Sequence, residues 1–415
     1  MNVLVLAPQP FFQLRGTPIA VRRVVQVLGE AGHSIDLLTF HEGEDVPLAN
    51  CTLHRTVRLP WVKNVPPGLS FRKILCDICM LFKAVRLCRS HSFDVVHAVE
   101  ESVFIARLLK LLFRIPYLYD MDSSLPEQLR DRFPWLRCVL LPLRLMERHA
   151  ITNSDGVIAV CHTLEDIVHR NSPDIPVLRM EDSSPHKFSD GCLEAAPNEE
   201  LSQLVGSKPM ILYVGNLQKY QGIDLLLHSF AQVANELPTS RLVIVGGSDA
   251  NIRKYRLLAE QLEIAERTGF LGPQPLESIP HFIRSSHIVV SPRIQGTNTP
   301  MKIYSYMESG IPLVATRLET HTQVLNDSNC WLAAANPDAF SSTIIDAWRD
   351  YERSKQMAAS AQAYAEEHFS AEIQDEKLLL FYEDFENRLR ESRVGRMTTL
   401  IKVAGAAQPQ RSNTI

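Results

Sequence analysis

The sequence predicts an α/β chain of two Rossmann-like, doubly wound domains facing a cleft. Three observations carry that prediction. Short apolar runs bounded by turn residues recur at the spacing of β-α-β units. The pattern stops in a polar stretch at residues 181–208 and starts again at residue 209. The chain has 415 residues, which suffices for about two or three domains.

The elements follow in order. "NVLVLA" (2–7) is rich in Val and Leu and reads as a buried parallel strand. The loop "PQPFFQLRG" leads into "TPIAVRRVVQVLGEAGH", where Thr17 suits a helix cap, Pro18 a first turn and Gly32 a stop. "SIDLLTF", "FDVVHA", "IPYLYD" and "DGVIAV" are the next strands, with helical patterns between them. Residues 1–180 thus form an N-terminal domain, and 181–208, rich in Ser, Pro and Glu, a linker. "PMILYVGN", "RLVIVGG", "TGFLG", "HIVVSP" and "PLVAT" repeat the pattern in a second domain, 209–370. Residues 337–392 are helical in pattern. The segment 371–392 reads as a final helix that crosses back to the first domain, and 396–415 as a flexible tail.

Composition narrows the function classes. Forty-three basic and 47 acidic residues give a net charge of −4, so no whole-chain signature of nucleic-acid binding exists. The longest apolar stretches are broken by charges, as in "VFIARLLKLLFR", and no membrane span is expected. The start lacks a basic leader and cleavage site, so no signal peptide is expected. Eight scattered cysteines suggest reduced thiols in a cytoplasmic protein. Cys76 and Cys79 have no second pair nearby, so zinc or redox work is not expected of them. Charge is uneven. Residues 51–150 hold 16 Lys/Arg against 9 Asp/Glu, a net of +7, and residues 181–415 hold 22 against 29, a net of −7.

Two segments could bind an anion. Arg15, Gly16, Thr17 and Pro18 join the first strand to the first helix, whose N-terminus presents free N–H groups. A plain strand-to-helix turn explains them equally well. The stretch from Ser291 to Lys302 also ends in Thr-Pro, with Thr299 as cap, Pro300 in the first turn and Lys302 close behind. A cation there opposes the helix dipole at a cost of roughly 0.3–1 kcal/mol. That placement makes sense if Lys302 shares the helix end with a diphosphate, with Arg293 and Lys219 as further cations and Gly215, Gly296 and Asn298 in the adjoining loops.

The segment "PMKIYSYMESGIPLVAT" (300–316) resembles the P-x-K-[LI]-[FY]-E-Y-M-x-x-G-x-P-[VL]-V-A-T stretch of GT-B fold glycosyltransferases of family 4. "RGTPIAV", "GHSIDLLTF", "FDVVHA", "SDGVIAV", "YVGN", "QGID", "RLVIVGG" and "FLG" fall in that family's order, so the resemblance covers about residues 1–390. It implies transfer of a sugar from a nucleoside-diphosphate sugar, with retention and without an essential metal or other cofactor. It also implies a donor site mainly in the second domain and an acceptor site in the first. Gly16 would lie beneath the donor diphosphate, and Lys302 in the helix facing it. Ser305 stands where the family usually has a glutamate for the donor ribose. Gln295, before Gly296, replaces the family's earlier acid. Asn216 and Gln221 stand where Arg and Lys are common.

Other candidates are open to two readings. Asp122, at the end of "IPYLYD-MD", either orients the sugar or takes the acceptor proton, or it lies in a helix-capping turn with Ser123 and Ser124. Asp120 and Asp122 also spell D-x-D, but the two-domain context argues against metal binding. Arg15, His97 and Glu100 are expected to line the acceptor cleft, while His97 and Glu100 also read as parts of a polar loop. His321 touches the donor or sits in a helix start capped by Thr320. The basic, amphipathic segments 71–92 and 103–114 rest on anionic membrane, as would suit a lipid-linked acceptor, or form ordinary solvated faces. The expected protein is therefore a cytoplasmic glycosyltransferase, peripheral on the inner face of the membrane, acting on a glycan or lipid-linked acceptor. A catalytically silent domain of the same fold and a sugar-nucleotide epimerase are the alternatives.

Overall fold

The computed structural model describes residues 1–13, 16–63, 65, 70–132, 137–184, 205–206 and 209–406. Arg15 and most of the expected linker lie outside them.

The first domain runs β1 (Asn2–Ala7), α1 (Gly16–Glu30), β2 (Ser34–Thr39), β3 (Cys51–Arg55), α2 (Phe71–Ser90), β4 (Val95–Val99), α3 (Val103–Phe113), β5 (Tyr117–Met121), α4 (Leu125–Arg132), α5 (Arg137–Thr152), β6 (Gly156–Ala159), α6 (His162–Asn171) and β7 (Val177–Arg179). Its parallel sheet has the order β3-β2-β1-β4-β5-β6-β7. The apolar run of β1 is buried on both faces. Leu4 and Leu6 pack under α2 and α3, while Val3 and Val5 pack under α1. This is why the strand reads as continuous rather than alternating.

The second domain runs β8 (Met210–Val214), α7 (Ile223–Glu236), β9 (Arg241–Val245), α8 (Asp249–Gln261), β10 (Thr268–Gly272), α9 (Ile279–Arg284), β11 (Ile288–Ser291), α10 (Met301–Glu308), β12 (Leu313–Thr316), α11 (Glu319–Thr322), β13 (Trp331–Ala333), α12 (Pro337–Arg349), α13 (Tyr351–Phe369) and α14 (Ala371–Ala406). Its sheet is also parallel, in the order β10-β9-β8-β11-β12-β13. In each sheet the order reverses beside the first strand, between β1 and β4 and between β8 and β11. Open α/β sheets bind ligands at the carboxyl ends of such strands.

α14 packs on the first domain. Its Leu378, Tyr382 and Phe385 share a core with β1 and α1. Arg23 of α1 reaches Ser183, the Ala371 carbonyl and Asp375 (2.8 Å), so one guanidinium ties α1, the connecting segment and α14 together. α14 continues to Ala406, past residue 396, where the sequence suggests a tail.

Two expected caps are displaced. α1 begins at Gly16, which puts Thr17 inside its first turn. α10 begins at Met301 after Pro300, whose extended backbone (φ −67°, ψ 132°) opens the helix without any side-chain cap. The short strands β3, β7 and β13 lack a sequence signal. They lie at sheet edges, and their residues are mostly half-buried.

Candidate functional site

The second domain's site is built on the loops after β8 and β11. Gly215 follows β8 with φ 145°, a backbone that side chains rarely adopt. A Cβ there would sit 3.2 Å from Lys302 Nζ and 3.1 Å from Tyr213 Oη. Lys302 lies in the first turn of α10 and keeps part of its surface exposed. Its ammonium donates to Gln221 Oε1 at 3.0 Å and stands 3.9 Å from the centre of the Tyr213 ring. Burial, and then the Arg293 guanidinium, push it well below the ordinary lysine range. The Val214 N–H donates to Tyr306 Oη (2.8 Å), which fixes the end of β8 to α10. Among the described residues, neutral partners alone hold this cation at a helix N-terminus, and the arrangement suits an anion.

Arg293 plays a different part from the one expected. Only 7% exposed, it donates through Nε to Gln295 O (2.7 Å), and through Nη1 and Nη2 to Asn298 O and Oδ1 (both 3.1 Å). It also stacks on Tyr220, 5.3 Å from the ring centre. The guanidinium curls the loop 293–298 around itself, and Asn298 is one of its anchors. Gly296 completes the curl with φ 123°, where a Cβ would lie 2.2 Å from Arg293 Nη2. Thr320 Oγ1 donates to Asn298 O (2.6 Å) and Thr316 Oγ1 to Arg293 O (2.5 Å). Thr299 is buried beside this loop.

Two expected donor contacts, His321 and Ser305, are corrected. His321 is sealed in the core. Its Nδ1 donates to Thr316 O (2.8 Å) and its Nε2 meets Ser291 Oγ (2.9 Å). Burial, with Arg293 and Lys302 nearby, pushes its pKa down to about 3, so the ring stays neutral and braces the loop. Ser305 is 2% exposed, and its hydroxyl bonds Ser184 Oγ (3.0 Å) of the connecting segment. Lys219 lies exposed in the turn before Gly222. Gln221, a buried neighbour given no role in the sequence reading, is the one that reaches Lys302.

On the first domain, Asp122 follows β5 and accepts a hydrogen bond from Thr17, next to Gly16 at the start of α1. Burial, then Asp120, Glu100 and Asp182, push its carboxyl well above the ordinary range. Glu100 follows β4 with φ 50°, strained for a residue with a Cβ. Burial raises its pKa too, against the pull of Lys73. Asp182, in the connecting segment, is raised to about 7 by burial and Asp120. It lies within electrostatic reach of Asp122 and of Tyr304 on α10. Burial raises Glu147 to about 7 as well; Ser124 donates to it at 3.0 Å.

His97 does not reach the cleft. It is fully buried, with Nε2 3.0 Å from Asp120 Oδ2 and Nδ1 2.6 Å from Tyr382 Oη on α14. Asp120 is therefore hydrogen-bonded inside the domain and acts on Asp122 through its charge. A cavity of about 380 Å³ near Met1, Asp94 and Glu386 sits at the opposite ends of the strands and lies apart from this site. Among the described residues, the domains also touch through Gln323. Its amide donates to Thr297 O (2.7 Å) and accepts from the Thr163 N–H (3.0 Å) at the start of α6.

Comparisons with known proteins agree with this architecture. The glycosyl transferase 4-like domain family matches residues 15–179, and the glycosyl transferases group 1 family matches residues 198–364. The chain is 23% identical over 257 residues to D-inositol 3-phosphate glycosyltransferase of Corynebacterium jeikeium, covering 55% of this chain and 58% of that protein. It spans about half the length of the curated relatives that it matches. Sucrose-phosphate synthase from Thermosynechococcus elongatus superposes with a TM-score of 0.76 at 18% identity, over 93% of this chain and 99% of that one. Anabaena HepE in complex with UDP-glucose gives 0.70 at 15%, over 92% and 100%. Two parallel sheets that face each other at their switch points define a GT-B transferase fold. The chain belongs to the GT-B glycosyltransferases of family 4. Among the described residues, no helix is long and apolar enough to cross a membrane.

Proposed function

We propose that this protein moves a sugar from a nucleoside-diphosphate sugar to a glycan or lipid-linked acceptor, with retention, in polysaccharide or glycolipid synthesis. One observation carries the donor assignment. The Lys302 ammonium stands at a helix N-terminus between two glycine loops, and among the described residues its partners are Gln221 Oε1 and the Tyr213 ring. A donor diphosphate supplies the missing negative charge. HepE, a fold neighbour, is seen with UDP-glucose, which supports a nucleotide sugar as the donor class.

The reaction breaks the bond between the anomeric carbon and the diphosphate oxygen and makes one to an acceptor oxygen. The acceptor proton passes to the leaving diphosphate on the same face. The protein's work is then positioning and charge stabilisation. Lys302 and the N-terminus of α10 hold the leaving group, and Arg293 shapes the loop around it. Asp122, with a raised pKa, serves as a hydrogen-bond donor that orients the sugar rather than as a base. Gly16 leaves room at the start of α1 facing it, since a Cβ there would meet nothing within 4 Å. The test is a binding screen of nucleoside diphosphates, followed by product analysis with an acceptor panel. One base should stand out and Lys302→Ala should lose it. Unchanged binding in that variant would sink the assignment.

A further inference from the structure

A cavity of about 80 Å³ lies where α2 and α5 meet the loops after β4 and β5. Lys73 and Asp77 stand one turn apart on the side of α2 that lines it, while Phe71, Ile78 and Phe82 lie on a face that this chain leaves uncovered. Glu100 and Glu101 follow β4, and Glu147 belongs to α5. Four carboxyl groups thus line the cavity against one ammonium.

That ammonium is already engaged. Lys73 Nζ donates to Pro8 O (2.7 Å) and pairs with Glu101. Arg144, one turn before Glu147 on α5, is paired with Glu127 (3.4 Å). Three acids therefore face the cavity without a cation among its lining residues. Glu147 is only 6% exposed. Ser124 donates to its Oε2 (3.0 Å), and its buried Oε1 has no donor among the described residues. Asp77 Oδ1 is buried and equally without a donor. Ser123 Oγ reaches Glu100 only at 3.5 Å, the long limit of a hydrogen bond. Burial raises Asp77 to about 6, against the pull of Lys73, and Glu147 to about 7, as expected of carboxyl groups short of positive charge.

Buried oxygens that lack donors cost free energy, so a group that donates to several of them is stabilised here. A phosphate or carboxylate would add like charge and bring no such donors. Among the described residues, no three acidic, imidazole or thiol groups come close enough to hold a metal ion. An ammonium is compact, positive and carries three N–H donors. Phe104 and Tyr119 also line the cavity, and aromatic rings favour a cation. The volume admits one such substituent with water rather than a whole glycan.

We propose that this cavity binds the ammonium group of an amino-sugar acceptor. The proposal names the acceptor class of the transferase and rests on that reading. Ser123 lines the cavity and follows Asp122, so an acceptor anchored by its nitrogen lies beside the carboxyl assigned to orient the donor sugar.

Calorimetry of the full chain with glucosamine, N-acetylglucosamine and glucose 6-phosphate tests this. Glucosamine should bind at least about tenfold more tightly than either of the others. Glu147→Gln keeps an acceptor for Ser124 and removes the charge. That variant and Asp77→Asn should each weaken glucosamine binding by about tenfold. Both should keep nucleoside-diphosphate affinity, with the melting temperature held or raised. A wild-type chain that binds glucosamine no more tightly than N-acetylglucosamine, or that prefers glucose 6-phosphate, overturns the proposal. So do carboxamide variants that bind glucosamine as the wild type does. Glucosamine binding by a chain that binds no nucleoside diphosphate would keep the ammonium site and overturn the transferase reading.

Discussion

Lys302 Nζ meets Gln221 Oε1 at 3.0 Å, joining α10 to the turn after β8 across 81 residues of sequence. The pair closes the floor of the proposed donor side with a cation that has no counter-ion among the described residues. A charge-assisted bond to a diphosphate is worth roughly 1.5–3 kcal/mol. Lys302→Met should therefore weaken nucleoside-diphosphate binding by roughly tenfold to a hundredfold, with the melting temperature held or raised. The unliganded ammonium titrates below the ordinary lysine range, and a bound diphosphate raises it again. Binding then takes up a proton, and affinity falls as pH rises above the unliganded pKa. Calorimetry in two buffers of different ionisation heat reads this directly. Net proton release would contradict it.

Arg293 and Gly296 form a second unit. A Cβ at Gly296 would lie 2.2 Å from Arg293 Nη2, on a backbone with φ 123°. Gly296→Ala should displace the loop and cost about 1–3 kcal/mol of stability. Arg293→Lys loses the three-bond fork and should weaken donor binding by a similar factor, although the charge is kept. If the lysine variant binds as wild type does, the residue acts as a plain cation instead.

Asp122→Asn keeps an acceptor for the Thr17 hydroxyl and removes the ionisable group. Because burial and the neighbouring acids already favour the protonated carboxyl, donor affinity should change little. Turnover should fall modestly, by about tenfold, since the amide can still donate to a sugar hydroxyl. A loss of about a thousandfold or more would identify Asp122 as a base.

Asp182, Glu147 and Glu308 are each raised to about 7, and Asp77 to about 6, all by burial first. The folded chain holds protons that the unfolded chain has lost above about pH 4–4.5. Their contribution is full below that range and is lost as pH rises through 6 to 7. The melting temperature should decline between pH 5 and pH 7.5, and Asp182→Asn should flatten the slope. A flat or rising wild-type profile would refute the sign.

Tyr382→Phe removes the hydroxyl 2.6 Å from His97 Nδ1. It leaves a buried ring nitrogen unpaired, at a cost of about 1–3 kcal/mol. Thermal melts of the full chain should show the loss, with nucleoside-diphosphate affinity unchanged, because His97 lies inside the first domain and not in the cleft.

The parallel strands at the centre of both sheets were legible because a strand buried on two faces is apolar throughout. Lys302 was legible for a similar reason: a cation just after Thr-Pro and a glycine loop is a local signal. The edge strands were not, since half-covered short runs such as "CTLHR" resemble loops. His97 and His321 looked like cleft residues because each follows or ends an element near the switch point. Their actual partners, Tyr382 and Ser291, are 285 and 30 residues away. Gln221 was legible only as a departure from the family's usual lysine, with nothing to say that it reaches Lys302, and Asp182 carried no signal, since an acid in a linker is common.

The amino-acid pattern alone determined the two parallel sheets, the loops at their switch points and the transferase family, since periodicity, glycines and caps are properties of short segments. Tertiary structure decided what each polar group does. It turned Arg293 from a free cation into the clamp of its own loop, neutralised His321, and drew four carboxylates together at the first domain's edge. It also decided which apolar face of α2 stays uncovered. Burial and distant partners set charge, tautomer and exposure, and neither can be read from neighbours in the chain.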